Sequence, residues 1–147
     1  ATVTVSGDLD PAARFFTVGD TTKLVYSPRG AADGLRRRLG DRATVIALDD
    51  DVRMVDLLAD LGSRGVERLM VEGGGTTLTE FLAAELVDEL QVAIAPFFVG
   101  DPAAPRFVGP ADFPWTSDRR ARLAEARPIG DVVLLRYALS ERFVESP

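Results

Sequence analysis

The chain has 147 residues, a formal net charge of −6 and an apolar content ordinary for a globular protein. The acidic balance argues against a general nucleic-acid binder, and no apolar run approaches the roughly 20 residues that span a bilayer. There is no cysteine and no histidine, which excludes disulfides, zinc–thiolate sites, thiol nucleophiles, Ser–His–Asp hydrolysis and imidazole-ligated metals. Chemistry must therefore run on carboxylates, Lys, Arg, Tyr, hydroxyls, backbone amides or a borrowed cofactor. A hydride-transferring cofactor fits, because it brings the difficult chemistry with it. No secretory pattern is visible, and together with the missing cysteines this sets the expected location as cytoplasmic.

In chain order, residues 2–5 alternate like a strand and lead into the Gly7-Asp8 turn region. Residues 23–27 read as a second strand closed by Pro28, and residues 31–39 as a short helix. Residues 44–48 read as a third strand, ended by Asp49, Asp50 and Asp51. Met54, Leu57, Leu58 and Leu61 fall at i, i+3, i+4 and i+7, one face of an amphipathic helix that Gly62 and Gly65 end. Residues 69–71 read as a fourth strand, followed by a glycine turn. A helix over residues 77–86 comes next, with Leu78, Phe81 and Leu82 as its buried stripe. Residues 90–99 form a long apolar strand in which Pro96 argues for an edge or an end. Residues 100–117 read as an irregular loop. Residues 120–126 and 132–138 read as an antiparallel hairpin joined around Pro128 to Asp131. Strands alternating with helices, then a hairpin, predict an α/β domain with a mixed sheet and a C-terminal antiparallel hairpin. One domain over residues 1–140 and a tail over 141–147 are expected.

The most informative stretch is Arg68-Leu-Met-Val-Glu-Gly-Gly-Gly-Thr-Thr-Leu-Thr-Glu-Phe-Leu82. Glu72 sits where the strand runs out. Gly73, Gly74 and Gly75 strip side chains from the turn, so a ligand can come close to the backbone. Thr77 and Glu80 have capping-box spacing, which predicts a helix start there. The free N–H groups of such a first turn, with the helix dipole, favour an anion such as phosphate. A carboxylate beside a phosphate cradle suggests a nucleotide-linked enzyme site. The turn is neither a P-loop, since no Lys follows the glycines, nor a GxGxxG fingerprint.

Val71-Glu-Gly-Gly-Gly-Thr-Thr-Leu78 resembles the Val-Glu-Gly-Gly-Pro-Thr-Leu signature of the riboflavin-biosynthesis pyrimidine reductases. Leu86-Val-Asp-Glu-Leu90, Ile94-Ala-Pro96 with Gly100, and Ser6 with Pro11 are similar to further stretches of that family. The resemblance runs from Thr2 to about Ala138. It implies a dihydrofolate-reductase-like three-layer domain. The implied activity is NADPH-dependent reduction of the ribosyl group of 5-amino-6-(5-phosphoribosylamino)uracil to ribityl, by hydride addition at C1′ of the opened sugar. The resemblance places Glu72 against the substrate. It places Gly74, Gly75, Thr76, Thr77, Leu78, Thr79 and Glu80 along the NADP pyrophosphate, and Ser6 against the cofactor from the end of its strand. It names no catalytic residue and no metal, and it implies a homodimer. Two departures stand out. The family's opening segment, with its Ser-Leu-Asp-Gly and Asp-Asp-Pro motifs, has no match here, so the sequence reads either as the carboxyl-terminal part of a longer reductase or as a protein that has lost the functions of that segment. Gly75 stands where the family usually has Pro.

Plainer readings stand beside these. The glycine turn also serves as a tight strand-to-helix connection, and Glu72 as a solvated strand end. Asp49, Asp50 and Asp51 read as caps of the next helix rather than a hard-metal site. Arg36, Arg37 and Arg38 read as a solvated helix face rather than a phosphate grip. Phe113 and Trp115 read as loop packing rather than a base-stacking platform. The apolar run Ile94 to Phe98 is expected either in deep core or at a subunit interface. Two rival functions remain: a non-catalytic nucleotide-binding or assembly module of the same fold, and a reductase of another pyrimidine or pterin-like substrate.

Overall fold

The computed structural model describes residues 1–143, and the last four positions of the expected tail lie outside the described residues. The chain forms two compact units, Ala1–Arg68 and a second beginning at Leu69.

In the first unit, three strands form a parallel sheet in the order β1 (Thr2–Val3), β2 (Leu24–Pro28), β3 (Thr44–Leu48). β2 is central, and its Leu24, Val25, Tyr26 and Ser27 are all buried, as expected for a parallel strand covered on both faces. One face carries α2 (Arg29–Leu39): Ala32, Leu35 and Leu39 close on Val25 and Val45, together with Phe16 of the one-turn α1 (Arg14–Thr17). From the other face, the buried Tyr26 donates its hydroxyl proton to Asp60 Oδ2 at 2.7 Å. Asp60 belongs to α3 (Met54–Ser63), which buries Met54, Leu57 and Leu61. The predicted amphipathic stripe is therefore present, with Leu58 only half-buried.

α3 ends in a Schellman arrangement. Gly65, at φ +83°, donates to the Gly62 carbonyl, and Val66 donates to the Leu61 carbonyl. Gly62 lies inside the helix, so Gly65 alone stops it. The three aspartates do not cap α3: Arg53 holds the N-cap position with no side-chain bond. Asp49 pairs instead with Arg29 at 2.9 Å. Arg36, Arg37 and Arg38 are exposed, as the solvated-face reading expects, with Arg36 and Arg38 in surface pairs with Asp33 and Asp8.

In the second unit, β4 (Glu89–Ile94), β6 (Val132–Ala138) and β5 (Arg122–Ile129) form an antiparallel sheet in the order β4-β6-β5. The expected hairpin is present. Its two-residue turn is Gly130-Asp131, with Gly130 at φ +63° in the first central position, as a type II′ turn requires. Pro128 falls inside β5, which tolerates it because β5 is an edge strand. Arg136 on the central strand bonds Glu89 at 2.6 Å and Glu125 at 2.9 Å, tying all three strands across one face. α4 (Gly75–Ala83) precedes the sheet and buries Phe81 and Leu82.

The chain is thus mixed α/β, with parallel pairing first and an antiparallel hairpin last, as expected. Its ladders form two separate three-stranded sheets rather than one mixed sheet. The strand expected over residues 69–71 is not formed: residues 66–74 hold no regular element, and Met70 is 73% exposed. β-Propensity alone makes no strand without a neighbouring ladder to satisfy its amides. The apolar strand expected over residues 90–99 stops at Ile94. Beyond it Phe97 is 70% and Phe98 100% exposed, which overturns the deep-core alternative for this run. Residues 95–121 hold no helix or strand, a longer irregular stretch than expected. No helix among the described residues is long and apolar enough to cross a membrane.

Candidate functional site

The candidate site is the glycine turn that opens α4. Gly74, at φ −68° and ψ 165°, is the N-cap, and the helical ladder begins with Leu78 N–H donating to the Gly74 carbonyl at 3.3 Å. The expected capping box is not formed. Thr77 already lies inside the helix, Glu80 lies a turn further on, and no side chain caps the start. A glycine cap and an acid-free first turn leave the amides of Gly75, Thr76 and Thr77 without a side-chain acceptor. The positive end of the helix dipole is unneutralised there, which is the physical basis of anion binding at helix starts.

The three glycines differ in what surrounds them. A Cβ on Gly74 would meet nothing within 4 Å, so its backbone is open to approach. A Cβ on Gly73 would touch Thr77 at 3.4 Å. A Cβ on Gly75 would lie 3.0 Å from the Arg106 carbonyl oxygen and 3.6 Å from that of Phe107. Gly75 is bare because a loop backbone crosses it. The expectation that all three glycines open the turn to a ligand holds for Gly74 and not for Gly75.

The remaining expected site residues fall as follows. Glu72 is exposed, two residues before the helix cap, and its carboxylate has no partner among the described residues. Thr76 and Glu80 are exposed, while Thr77, Leu78 and Thr79 are half-buried. The Thr79 hydroxyl is held by protein on both sides: it donates to the Gly75 carbonyl at 2.5 Å and accepts the Gly109 N–H at 2.7 Å. Residues 72 and 74–80 are thus gathered on one turn by chain continuity. Ser6 belongs to the first unit, exposed beyond the end of β1, where its Oγ accepts the Asp8 N–H at 3.2 Å.

Sequence reasoning missed the loop partners Arg106, Phe107 and Gly109. Only the Pro- and Gly-rich composition of that segment hinted at a special backbone, and nothing in it pointed to α4. Phe113 and Trp115 are half-buried, and with Leu82, Leu90, Phe107 and Tyr137 they line an open apolar pocket of about 270 Å³. No group of three or more Asp, Glu, His or Cys side chains able to hold a metal occurs among the described residues. The turn therefore presents uncapped backbone N–H groups beside the unpaired Glu72 carboxylate.

Comparison with known proteins decides the family. The model of the RibD C-terminal domain matches residues 2–135. The chain belongs to the RibD C-terminal domain family. Its 2,5-diamino-6-ribosylamino-4(3H)-pyrimidinone 5′-phosphate reductase relative from Methanothermobacter thermautotrophicus is 35% identical over 105 residues, 69% of this chain and 48% of that protein. The reductase of the same name from Archaeoglobus fulgidus is 32% identical over 95 residues, 65% of this chain and 40% of that protein. The chain thus spans less than half the length of these two curated relatives. The RibD-type fold is seen again in a pyrimidine reductase-like protein from Corynebacterium diphtheriae. It superposes with a TM-score of 0.73 at 21% identity, over 93% of this chain and 59% of that one. Acinetobacter baumannii RibD superposes with a TM-score of 0.62 at 23% identity, over 78% of this chain and 30% of that one.

Proposed function

We propose that this chain is the reductase portion of a riboflavin-pathway enzyme. It would use NADPH to reduce the ribosylamino group of a pyrimidine 5′-phosphate to ribitylamino. The observation that carries this reading is the uncapped, glycine-led start of α4 beside the unpaired Glu72, in a chain of the RibD C-terminal domain family. The donor set fits a dinucleotide's diphosphate: backbone N–H groups without competing acceptors, at a helix start, with open space over Gly74. Gly74, Gly75, Thr76 and Thr77 would hold that diphosphate, with Leu78 and Glu80 bordering it. Glu72 would accept hydrogen bonds from substrate donors and so orient the sugar.

When bound, the cofactor supplies hydride. The opened sugar would present a C1′=N imine, which would take that hydride at carbon and a proton at nitrogen. The protein's share is alignment and exclusion of water, which needs neither cysteine nor histidine. The location is read as cytoplasmic. The exposed Phe97 and Phe98 support a homodimer, because apolar surface of that kind marks interfaces.

The names of the archaeal relatives favour a second reading of the substrate, the 2,5-diamino pyrimidinone instead of the 5-amino uracil. Titrating the chain with NADPH and following nicotinamide fluorescence tests the cofactor. Binding by the wild type that Gly74→Asp abolishes is the expected result; a folded wild-type chain that leaves NADPH fluorescence unchanged overturns it. Following NADPH oxidation with each pyrimidine phosphate in turn then assigns the substrate.

A further inference from the structure

We infer that Thr79 is a positioning residue, not a cofactor ligand: its hydroxyl pins the 106–109 loop against the first turn of α4 and so keeps Gly74 open. The inference rests on the cofactor reading above and departs from it at this one residue.

A hydroxyl has one proton. That of Thr79 is committed to the Gly75 carbonyl, and its lone pair receives the Gly109 amide from 30 residues away in sequence. A phosphate needs donors, and Thr79 has none left to give. The bond back to the Gly75 carbonyl is common for threonine in a helix. The long-range bond is not, and the glycine contacts around it fix its meaning. The Arg106 carbonyl lies 3.0 Å from the place of a Gly75 Cβ, and a Cβ on Gly109 would sit 3.6 Å from the Thr79 oxygen. The loop therefore crosses directly over Gly75, too close for a side chain there, while the space over Gly74 stays clear. Gly109 N–H is the loop's backbone anchor to this turn. Without it the loop would be free to slide one residue back over the open position.

Thr79→Val keeps the shape and branching and removes both hydrogen bonds, whereas Thr79→Ser restores the hydroxyl. Two readouts on the full chain separate the possibilities: hydrogen exchange of the Gly109 amide, and NADPH affinity by fluorescence titration. In Thr79→Val the Gly109 amide should exchange faster and NADPH should bind roughly five- to tenfold more weakly, the scale of one lost hydrogen bond. Thr79→Ser should return both to wild type, which a purely steric role for the methyl group would not produce. An unchanged Gly109 exchange rate in Thr79→Val overturns the inference. So does faster exchange with unchanged NADPH affinity. A wild-type chain that ignores NADPH sinks the cofactor reading and this inference together, and is recognised because the wild type itself is silent.

Discussion

Glu85 grips Arg119 through two hydrogen bonds, of 3.1 and 2.8 Å, from a backbone position at φ +54°. It is the single non-glycine residue with positive φ among the described residues. Its place explains the angle. Glu85 N–H donates to the Leu82 carbonyl and Leu86 N–H to the Phe81 carbonyl, so α4 ends in the same Schellman arrangement as α3. Where α3 uses Gly65, α4 uses a glutamate, accepts left-handed strain, and gains an anchor for the end of the long loop. Replacing Glu85 separates the two effects. Glu85→Ala keeps the strain and loses the anchor; Glu85→Gly loses both. The glycine variant should melt a few degrees above the alanine variant. Equal melting temperatures would remove the strain argument.

The same pair predicts an acid limb of stability. The hydrogen bonds from Arg119 hold the Glu85 carboxyl below its ordinary value of 4.5. In the folded state it binds protons less readily than in the unfolded chain. The pair's contribution is therefore full above about pH 4.5 and fades as pH falls through the lower, folded value. Both side chains are well exposed, so the effect is small and screened by salt. Thermal melts of wild type and Glu85→Gln should differ at neutral pH and converge in acid. A gap that persists unchanged at pH 3 would show that the pair does not carry it.

Tyr26 predicts the alkaline limb. Burial first, then its bond to Asp60, pushes its phenol well above the ordinary value of 10. It stays neutral in the folded state while the unfolded chain would ionise. The stability this supports is intact below pH 10 and is lost as pH climbs toward the folded value. The chain has two tyrosines, Tyr26 and Tyr137. In Tyr137→Phe, tyrosinate absorbance should therefore appear only together with unfolding. Tyr26→Phe should cost about 1 kcal/mol, since Asp60 keeps Arg64 at 2.7 Å as partner. Free titration of Tyr26 in folded protein near pH 10 would contradict the buried bond.

Gly74 and Gly75 are neighbours with opposite reasons for lacking a side chain. Gly75→Ala forces a Cβ to 3.0 Å from the Arg106 carbonyl, and the loop must yield, at a cost of about 1–2 kcal/mol. Gly74→Ala meets open space at an ordinary φ. It should leave urea unfolding within about 0.5 kcal/mol of wild type while weakening NADPH binding. Equal destabilisation by both would mean that the loop does not rest on Gly75.

Much of this was readable from residues. The strand at 44–48 and the Met54–Leu57–Leu61 stripe follow from local periodicity, and the closing hairpin from its turn residues. The helix after the glycines was expected, but its start was misplaced by two residues. Thr77 and Glu80 match a capping box in spacing, yet the chain enters the helix earlier, at Gly75, where a bare backbone fits beneath the Arg106 carbonyl. The strand at 69–71 was expected from its side chains, but a strand exists only where a neighbour completes its hydrogen bonds. The aspartates at 49–51 looked like caps because capping is local; Asp49 instead answers Arg29 from twenty residues away.

Composition alone removed cysteine and histidine chemistry, and the run from Val71 to Leu78 pointed to the family and to an anion-binding helix start. These are short-range properties, set by residue type and by spacing along the backbone. Which glycine faces open space, which lies under the loop, and that the Thr79 oxygen accepts the Gly109 amide were decided only by folding. Each depends on residues 106–109 returning to α4, and spacing along the chain carries no record of where a distant loop comes to rest.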